Sequence, residues 1–210
     1  MKRMITVFSV TLVITAAAYA QDEMKAKAEA QRGAIGAAVG KERHSVGGGR
    51  VREFEKGAIY WSSATGARVV KGDTLKKYQA IGAETGSLGY PVGDERPARD
   101  GLSQTFEHGF LRTTATGDVQ TEILSGVTLT ENSLMISNTS GIRLGIDDGF
   151  LTIRDAAAPQ TTLTCSCELN PEPFSQRLGF CTVSISKDRK RASCRAQDCN
   201  GSCVFEKSSQ

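Results

Sequence analysis

An internal repeat of about 53 residues constrains the fold of this chain more than any other feature. The block Ile35–Gly40 matches Leu88–Gly93 at an offset of 53, and Phe54–Gly57 matches Phe106–Gly109 at an offset of 52. One-residue gaps between the matching blocks explain why the offset changes along the chain. The chain therefore holds one complete unit and about half of a second. Because repeated units bury their apolar faces against their neighbours, we expect the two copies to pack on each other.

The complete unit is predicted to contain a β-hairpin. Residues 50–54 and 57–61 are short runs rich in β-branched and aromatic residues, separated by turn residues. Because side chains alternate across a strand, Ile59 and Trp61 share one face of the second strand. Tyr60 faces the opposite side.

A short helix is predicted from Thr74 to Ile81. Asp73 is a good N-cap residue for it, because a carboxylate can accept a hydrogen bond from the first turn. Leu75 and Tyr78 fall on the same side of this helix as its last residue. Gly82 can end the helix in a left-handed conformation.

Several separated blocks of the repeat resemble the LGFP repeat in order and spacing. These blocks are Phe54-Glu55-Lys56-Gly57-Ala58-Ile59-Tyr60-Trp61-Ser62, Thr65-Gly66-Ala67, Val70-Lys71-Gly72 and Leu88-Gly89-Tyr90-Pro91. The resemblance covers about residues 33–117, and we take residues 33–120 as the repeat module. It implies a non-catalytic module that binds cell-wall polysaccharide. LGFP repeats are appended to the catalytic domains of actinobacterial mycolyltransferases and related exported hydrolases.

The N-terminus has the form of a secretory signal peptide over residues 1–20. Met1-Lys2-Arg3 is basic, the stretch from Met4 to Ala18 is apolar, and Ala18-Tyr19-Ala20 offers small residues for cleavage. No other run approaches the roughly 18 apolar residues of a membrane-spanning helix. We therefore expect an exported protein without a membrane span, secreted or periplasmic and associated with the cell envelope.

Residues 21–32 are predicted to form a helical segment, because they are rich in the helix formers Ala, Lys and Glu. The segment has no clear apolar stripe. We therefore expect it to be loosely docked.

The charge of the chain argues against a nucleic-acid partner. The formal net charge of +3 falls by two, to +1, when Lys2 and Arg3 leave with the signal peptide. Domains that bind nucleic acid are usually strongly basic. The basic cluster Lys187–Arg191 is interpreted as a solvated turn, and contact with an acidic envelope polymer is its functional alternative.

The chain beyond residue 120 is β-rich but lacks the repeat. Residues 121–155 hold four β-rich runs, with the hairpin signal Asp147-Asp148-Gly149 between two of them, and predict an antiparallel meander. Residues 156–160 are predicted to be a linker. Residues 161–210 are predicted to be a small β unit that needs covalent support, because so short a segment buries little surface. The predicted fold is mainly β with short helices: an LGFP-repeat module, a β meander and a small disulfide-rich β unit.

All six cysteines lie in the last segment: Cys165, Cys167, Cys181, Cys194, Cys199 and Cys203. An even, clustered set in an exported chain predicts three disulfides, although sequence cannot choose their pairing. Cys165 and Cys167 point to the same face of a strand, so we expect them to bond to different partners. A zinc site is one alternative, but the spacing is unfamiliar and no His is near. A redox site is another, but there is no Cys-x-x-Cys. No metal or cofactor is predicted.

A candidate carbohydrate site surrounds Trp61 and Tyr60. An exposed aromatic ring can cover the C–H face of a sugar while polar neighbours bind its hydroxyls. The polar candidates are Glu55, Arg52 and Ser62. The alternative is that the aromatic residues belong to the core. The second copy has Thr113 and Arg112 at these positions, so the packing of the repeat does not require them and any site belongs to the first copy.

Glu55 and Glu107 occupy equivalent positions in the two copies. They can either bind sugar hydroxyls or cap a neighbouring turn, and we favour the structural role. Catalysis has little support, because His44 and His108 sit at non-equivalent positions and neither lies in a hydrolase motif. No catalytic residue is predicted.

We predict an exported, non-enzymatic protein that binds cell-wall polysaccharide through its LGFP repeats. Solenoid repeats usually need about three copies, so either the meander completes the missing surface or two chains form a homodimer. The alternative function belongs to another class: a protein-interaction or inhibitor-type scaffold that acts through the cysteine-rich unit.

Overall fold

The computed structural model describes residues 18–98, 101–137, 141–154, 160–168, 181–197, 199 and 202–207. Over these residues the strands form four antiparallel sheets of four strands each, and the helices are short. The prediction of a mainly β fold is confirmed. Most of the predicted signal peptide and of the predicted linker lies outside the described residues, as does the side chain of Cys167.

The first repeat forms a four-stranded sheet in the order β1-β2-β3-β4. Its strands are β1 Ala38–His44, β2 Arg50–Phe54, β3 Gly57–Ser62 and β4 Gly66–Lys71. The predicted hairpin is the β2–β3 pair, in which Phe54 lies opposite Gly57. The alternation along β3 is also confirmed, because Trp61 and Tyr60 belong to different hydrophobic clusters on the two faces of the sheet.

The second repeat forms a similar sheet in the order β5-β6-β7-β8. Its strands are β5 Arg96–Ala98, β6 Gly101–Phe106, β7 Gly109–Thr114 and β8 Val119–Ile123. Pro91 pairs with Phe106 in this copy as Ala38 pairs with Phe54 in the first copy. The partial second copy predicted from the sequence thus has the strand pairing of the first.

A glutamate closes the equivalent turn in each repeat. In the first copy the amide of Ala37 donates to the Glu55 carboxylate at 3.1 Å, and in the second the amide of Tyr90 donates to Glu107 at 2.9 Å. Backbone bonds repeat the pattern, since Glu55 N donates to Ala37 O and Glu107 N donates to Tyr90 O. The equivalence supports the structural interpretation of both carboxylates over the sugar-binding one.

Replacing Gly36 with alanine is expected to destabilise the first repeat more than replacing Gly40. Both glycines have a positive φ, of 80° and 71°, so each substitution costs about 1–2 kcal/mol. Gly36 also has a ψ of −158°, and this combination of angles is essentially confined to glycine, which adds to the cost there. A Cβ at Gly36 would also collide with the Glu55 carboxylate, whereas nothing lies within 4 Å of a Cβ at Gly40. The loss of the Ala37–Glu55 hydrogen bond should add about 1 kcal/mol. Guanidinium unfolding followed by Trp61 fluorescence measures the difference, and equal costs would contradict the turn-closing role.

The described α-helices are α1 over residues 18–30, α2 Arg32–Ile35 and α3 Gly72–Ala80. The two repeat sheets share a core with helix α3. Tyr78 of this helix is fully buried, and its ring lies 4.6 Å from that of Phe106 and 5.1 Å from that of Tyr60. Gly82 follows the helix in a left-handed conformation, as predicted. The prediction of Asp73 as N-cap is wrong, because Asp73 lies inside the first turn and pairs with Lys76 instead.

The remaining strands form two further sheets that share a single core. One has the order β14-β15-β10-β9 and the other β11-β12-β13-β16. Their strands are β9 Val127–Leu129, β10 Ser133–Ile136, β11 Arg143–Asp147, β12 Phe150–Arg154, β13 Thr161–Glu168, β14 Cys181–Ile185, β15 Arg191–Ala196 and β16 Ser202–Lys207. The predicted meander and the cysteine-rich segment are therefore not separate sheets. Strand β10 pairs with β15, and β12 pairs with β13.

Disulfides join these two sheets. Cys165 of β13 is bonded to Cys194 of β15, and Cys181 of β14 to Cys203 of β16. The corresponding Cα–Cα distances are 5.6 and 6.0 Å. Cys199 is also disulfide-bonded. The prediction that Cys165 pairs elsewhere than with Cys167 is confirmed, and no described cysteine is a free thiol.

The two disulfide-linked sheets, which we call the sandwich, also pack against the second repeat. Phe110 and Leu111 are neighbours on β7, but Leu111 faces the core of the repeats and Phe110 faces that of the sandwich. The Thr105 hydroxyl donates to the carbonyl of Phe205 at 3.4 Å, across the same junction. The sequence allows two ways to cover the incomplete second repeat: the meander of the same chain or a second chain. In the structure, the sheets that contain the meander strands cover it.

Candidate functional site

Helix α1 lies on the face of the first-repeat sheet that carries Ile59 and Trp61, which we call the outer face. Ala20 and Met24 are 0% and 3% exposed and belong to a cluster with Ile59, Trp61 and Val69. Ala28 packs against the same cluster, so the buried residues recur every four positions. The helical segment was predicted, but its docking stripe was missed because two of these three residues are alanines, which give a weak hydrophobic signal.

The prediction that Trp61 presents its ring to solvent is wrong, because helix α1 covers it. Trp61 is 6% exposed, and its indole Nε1–H donates a hydrogen bond to the Glu23 carboxylate of the helix. A second polar contact between helix and repeat joins Lys27 to Asp94. Sequence alternation correctly placed Trp61 on the same face of β3 as Ile59. It could not show that another segment lies over that face.

Tyr60 and Ser62 are buried as well, which corrects their prediction as surface residues. Tyr60 is 1% exposed on the inner face, where burial, followed by the charge of Glu84, raises the pKa of its phenol. Ser62 is 7% exposed, and its hydroxyl lies 2.8 Å from that of Thr65. Both residues therefore hold the sheet and its turn together, and Tyr60 lies on the face opposite to Trp61.

Glu84 is a buried carboxylate that the sequence analysis overlooked. Burial by itself would raise its pKa, but hydrogen bonds from Arg43 and Ser45 outweigh burial and hold the pKa below its ordinary value. The carboxylate is thus ionised and paired. It fixes the β1–β2 connection, together with the Tyr90 hydroxyl, which donates to Val46 O at 2.7 Å.

A groove of about 530 Å³ runs along one flank of helix α1, and we call it the Trp61 groove. Its lining includes Trp61, Ser62 and Thr65 from the sheet and Glu23, Lys27 and Ala30 from the helix. The exposed turn residue Ala64 also borders it. Trp61 and Ser62 of the predicted site therefore border an open space, although little of either side chain is exposed.

A second groove, of about 460 Å³, runs along the opposite flank of helix α1, and we call it the Arg52 groove. Its lining includes Arg52, Phe54 and Ala38 from the sheet and Met24, Ala28 and Arg32 from the helix. The five residues of the predicted site are therefore not brought together. Trp61 and Ser62 border one groove, Arg52 borders the other, Glu55 closes a turn, and Tyr60 is in the core.

The Arg52 side chain has no hydrogen-bond or ion-pair partner among the described residues. Its Nε atom is buried and unpaired. Its neighbour along β2, Arg50, pairs with Glu42 at 2.7 Å. At the position equivalent to Arg52, the second repeat has the buried Gln104, whose amide donates to two backbone carbonyls.

The clustered cysteines do not offer a metal site. Two groups of three sulfur atoms lie within 4.8 Å of one another, and they share Cys181. All the cysteines in these groups are disulfide-bonded. A disulfide sulfur lacks the negative charge with which a thiolate binds zinc, so the zinc alternative has no support in the described residues.

Comparison with known protein families identifies the first repeat. Residues 35–86 match the family model of the LGFP repeat, which spans β1 to β4, helix α3 and the turn that follows. The chain therefore carries an LGFP repeat, and LGFP repeats are associated with the cell envelope. No curated protein matches the chain. Among the described residues, no helix has the length and apolar character needed to cross a membrane.

Proposed function

We propose that this protein is exported and binds cell-wall polysaccharide non-covalently through the outer face of its first repeat, without catalysing a reaction. The observation that carries the proposal is the Trp61 groove on an LGFP repeat. An aromatic residue, residues with hydroxyl groups and charged residues line it together. Such a mixture of apolar surface and hydrogen-bonding groups suits a sugar, which has C–H faces and hydroxyls.

Export would open this groove further. Cleavage of the predicted signal peptide after Ala20 removes Tyr19, which borders the groove, and Ala20, which is fully buried beneath the helix. Met24 then remains as the only large apolar side chain by which the described helix contacts the sheet. Helix α1 of the exported chain should therefore be held less tightly on the sheet, and a polysaccharide should displace it more easily.

A co-sedimentation assay tests the proposal. The chain beginning at Gln21 is incubated with insoluble cell-wall glycan purified from an actinobacterium, and with the same mass of microcrystalline cellulose. We expect the protein to pellet with the wall glycan and to remain in solution with cellulose. Protein that stays soluble with both would contradict the proposed function.

A matched pair of variants locates the binding face. Ala64→Arg places a long side chain across the Trp61 groove, from an exposed turn. Ala115→Arg makes the same change at the equivalent exposed turn of the second repeat. We expect Ala64→Arg to lower the pelleted fraction at least about fivefold, since it blocks the groove, and Ala115→Arg to leave it unchanged. Equal pelleting of both variants would place binding elsewhere on the chain.

A further inference from the structure

We infer that the Arg52 groove binds the carboxylate of an acidic sugar, so that the polysaccharide recognised by this protein is anionic. The inference rests on the proposed function, which makes the ligand a polysaccharide, and it adds that this polysaccharide carries negative charge. It begins with the cost of leaving Arg52 unpaired. The Nε of Arg52 has lost water without gaining an acceptor, which is destabilising, although the side chain as a whole is only half-buried.

The chain itself does not supply the partner. The Arg52 side chain is half-buried beside Phe54, and its Nε is buried without an acceptor among the described residues. Glu42 borders the same groove, but Arg50, which is 9% exposed, holds its carboxylate at 2.7 Å. The second repeat shows that the fold does not need an arginine here, since Gln104 fills the equivalent position.

The other charges of the groove favour an anion. Lys25 and Arg32 border it from the helix, and with Arg52 they bring three positive charges. The negative charges in the lining are those of Glu29 and of Glu42, which is already paired with Arg50. The planar fork of an arginine matches the two oxygens of a carboxylate, and such charge-assisted bonds are about twice as strong as neutral ones.

The aromatic side chain of Phe54 favours a saccharide over a peptide as the molecule that bears this carboxylate. Its half-buried ring lies on the same strand as Arg52, two residues away, so both side chains point to the same face. The aromatic ring can cover the C–H face of a pyranose while Arg52 binds the carboxylate at C6. Each lining residue of this groove lies at or beyond Gln21, so cleavage of the predicted signal peptide removes none of them.

Calorimetric titration tests the inference with a galacturonic acid tetramer, the neutral galactose tetramer of the same linkage, and a tetraglutamate peptide. The chain beginning at Gln21 is expected to bind the acidic tetramer at least about tenfold more tightly than either other probe. Arg52→Gln should remove this preference. Arg52→Lys should keep part of it, because lysine retains the charge but not the fork.

Two controls separate binding from folding and from net charge. Arg52→Gln introduces the residue that the second repeat uses at this position, and Trp61 emission and the thermal midpoint verify that the variant folds. Lys41→Gln removes one positive charge from an exposed position on β1 outside the groove, and should leave the preference unchanged. An equal effect of both substitutions would overturn the inference.

The remaining outcomes are also decisive. Equal binding of the acidic and neutral tetramers, no binding of either, or an unchanged preference in Arg52→Gln would overturn the inference, while the proposed function still stands if the chain pellets with wall glycan. Tetraglutamate bound as tightly as the sugar acid would overturn the assignment to a saccharide. Failure of both the titration and the pelleting assay would contradict both proposals.

Discussion

Replacing Phe106 with alanine is expected to lower the free energy of unfolding of the repeat module by about 3–5 kcal/mol. Phe106 is 0% exposed, and its ring lies 4.6 Å from that of Tyr78. It belongs to the core that both repeat sheets share with helix α3. The substitution therefore leaves a cavity at the point where the two copies and helix α3 meet. Guanidinium unfolding followed by the fluorescence of Trp61 measures the loss.

The matched control is Phe54→Ala, at the equivalent position of the first repeat. Phe54 is only half-buried and borders the Arg52 groove, so its truncation removes less contact and should cost clearly less. The same residue type at two equivalent positions thus separates the effect of burial from that of chemistry. Equal costs for the two variants would contradict the placement of Phe106 in a core shared by both copies.

Removing the bond between Cys165 and Cys194 by a double alanine substitution should destabilise the C-terminal sandwich by about 2–5 kcal/mol. The disulfide joins strands of the two different sheets across a sequence separation of 29. Without it the unfolded chain gains conformational freedom, which favours unfolding. Cys194 is also 2% exposed within the sandwich core, so the core loses packing. The loss of β signal in far-ultraviolet circular dichroism during thermal unfolding reports this change.

A double substitution in the sheet that contains Cys194 serves as its control. The hydroxyls of Ser184 and Ser193 lie 2.7 Å apart at an exposed cross-strand pair, and replacing both with alanine should change the stability by less than about 1 kcal/mol. Trp61 fluorescence should report little loss in the first repeat in either case, because Trp61 belongs to a separate hydrophobic cluster. A Cys165→Ala/Cys194→Ala variant as stable as the serine pair variant would contradict the stabilising role of this disulfide.

Local chemistry in the sequence was enough to predict the repeats and their hairpins. The alternation along β3, the turn at Asp147-Asp148-Gly149 and the left-handed Gly82 all depend on residues close together in the chain, and the structure has each of them. The shared structural role of Glu55 and Glu107 could also be predicted, because comparison of the two copies shows which residues both repeats keep.

Contacts between distant segments could not be predicted in the same way. Strand β10 pairs with β15 more than fifty residues later, and no local pattern specifies that partner. Helix α1 covers Trp61 through two alanines and one methionine, a stripe too weak to stand out from a helix-forming composition. The burial of Trp61 follows from that docking alone, which explains why its face was predicted correctly and its exposure was not.

The single tryptophan of the chain allows the most direct test of the outer face of the first repeat as the binding face. Trp61 should give one indole N–H signal in a ¹H–¹⁵N spectrum, from the group that donates to Glu23. Soluble fragments of the actinobacterial wall glycan are titrated into the labelled chain beginning at Gln21. We expect the indole signal to shift progressively and to saturate at the concentration that saturates co-sedimentation. An indole signal that stays fixed while the protein binds the glycan would contradict the account.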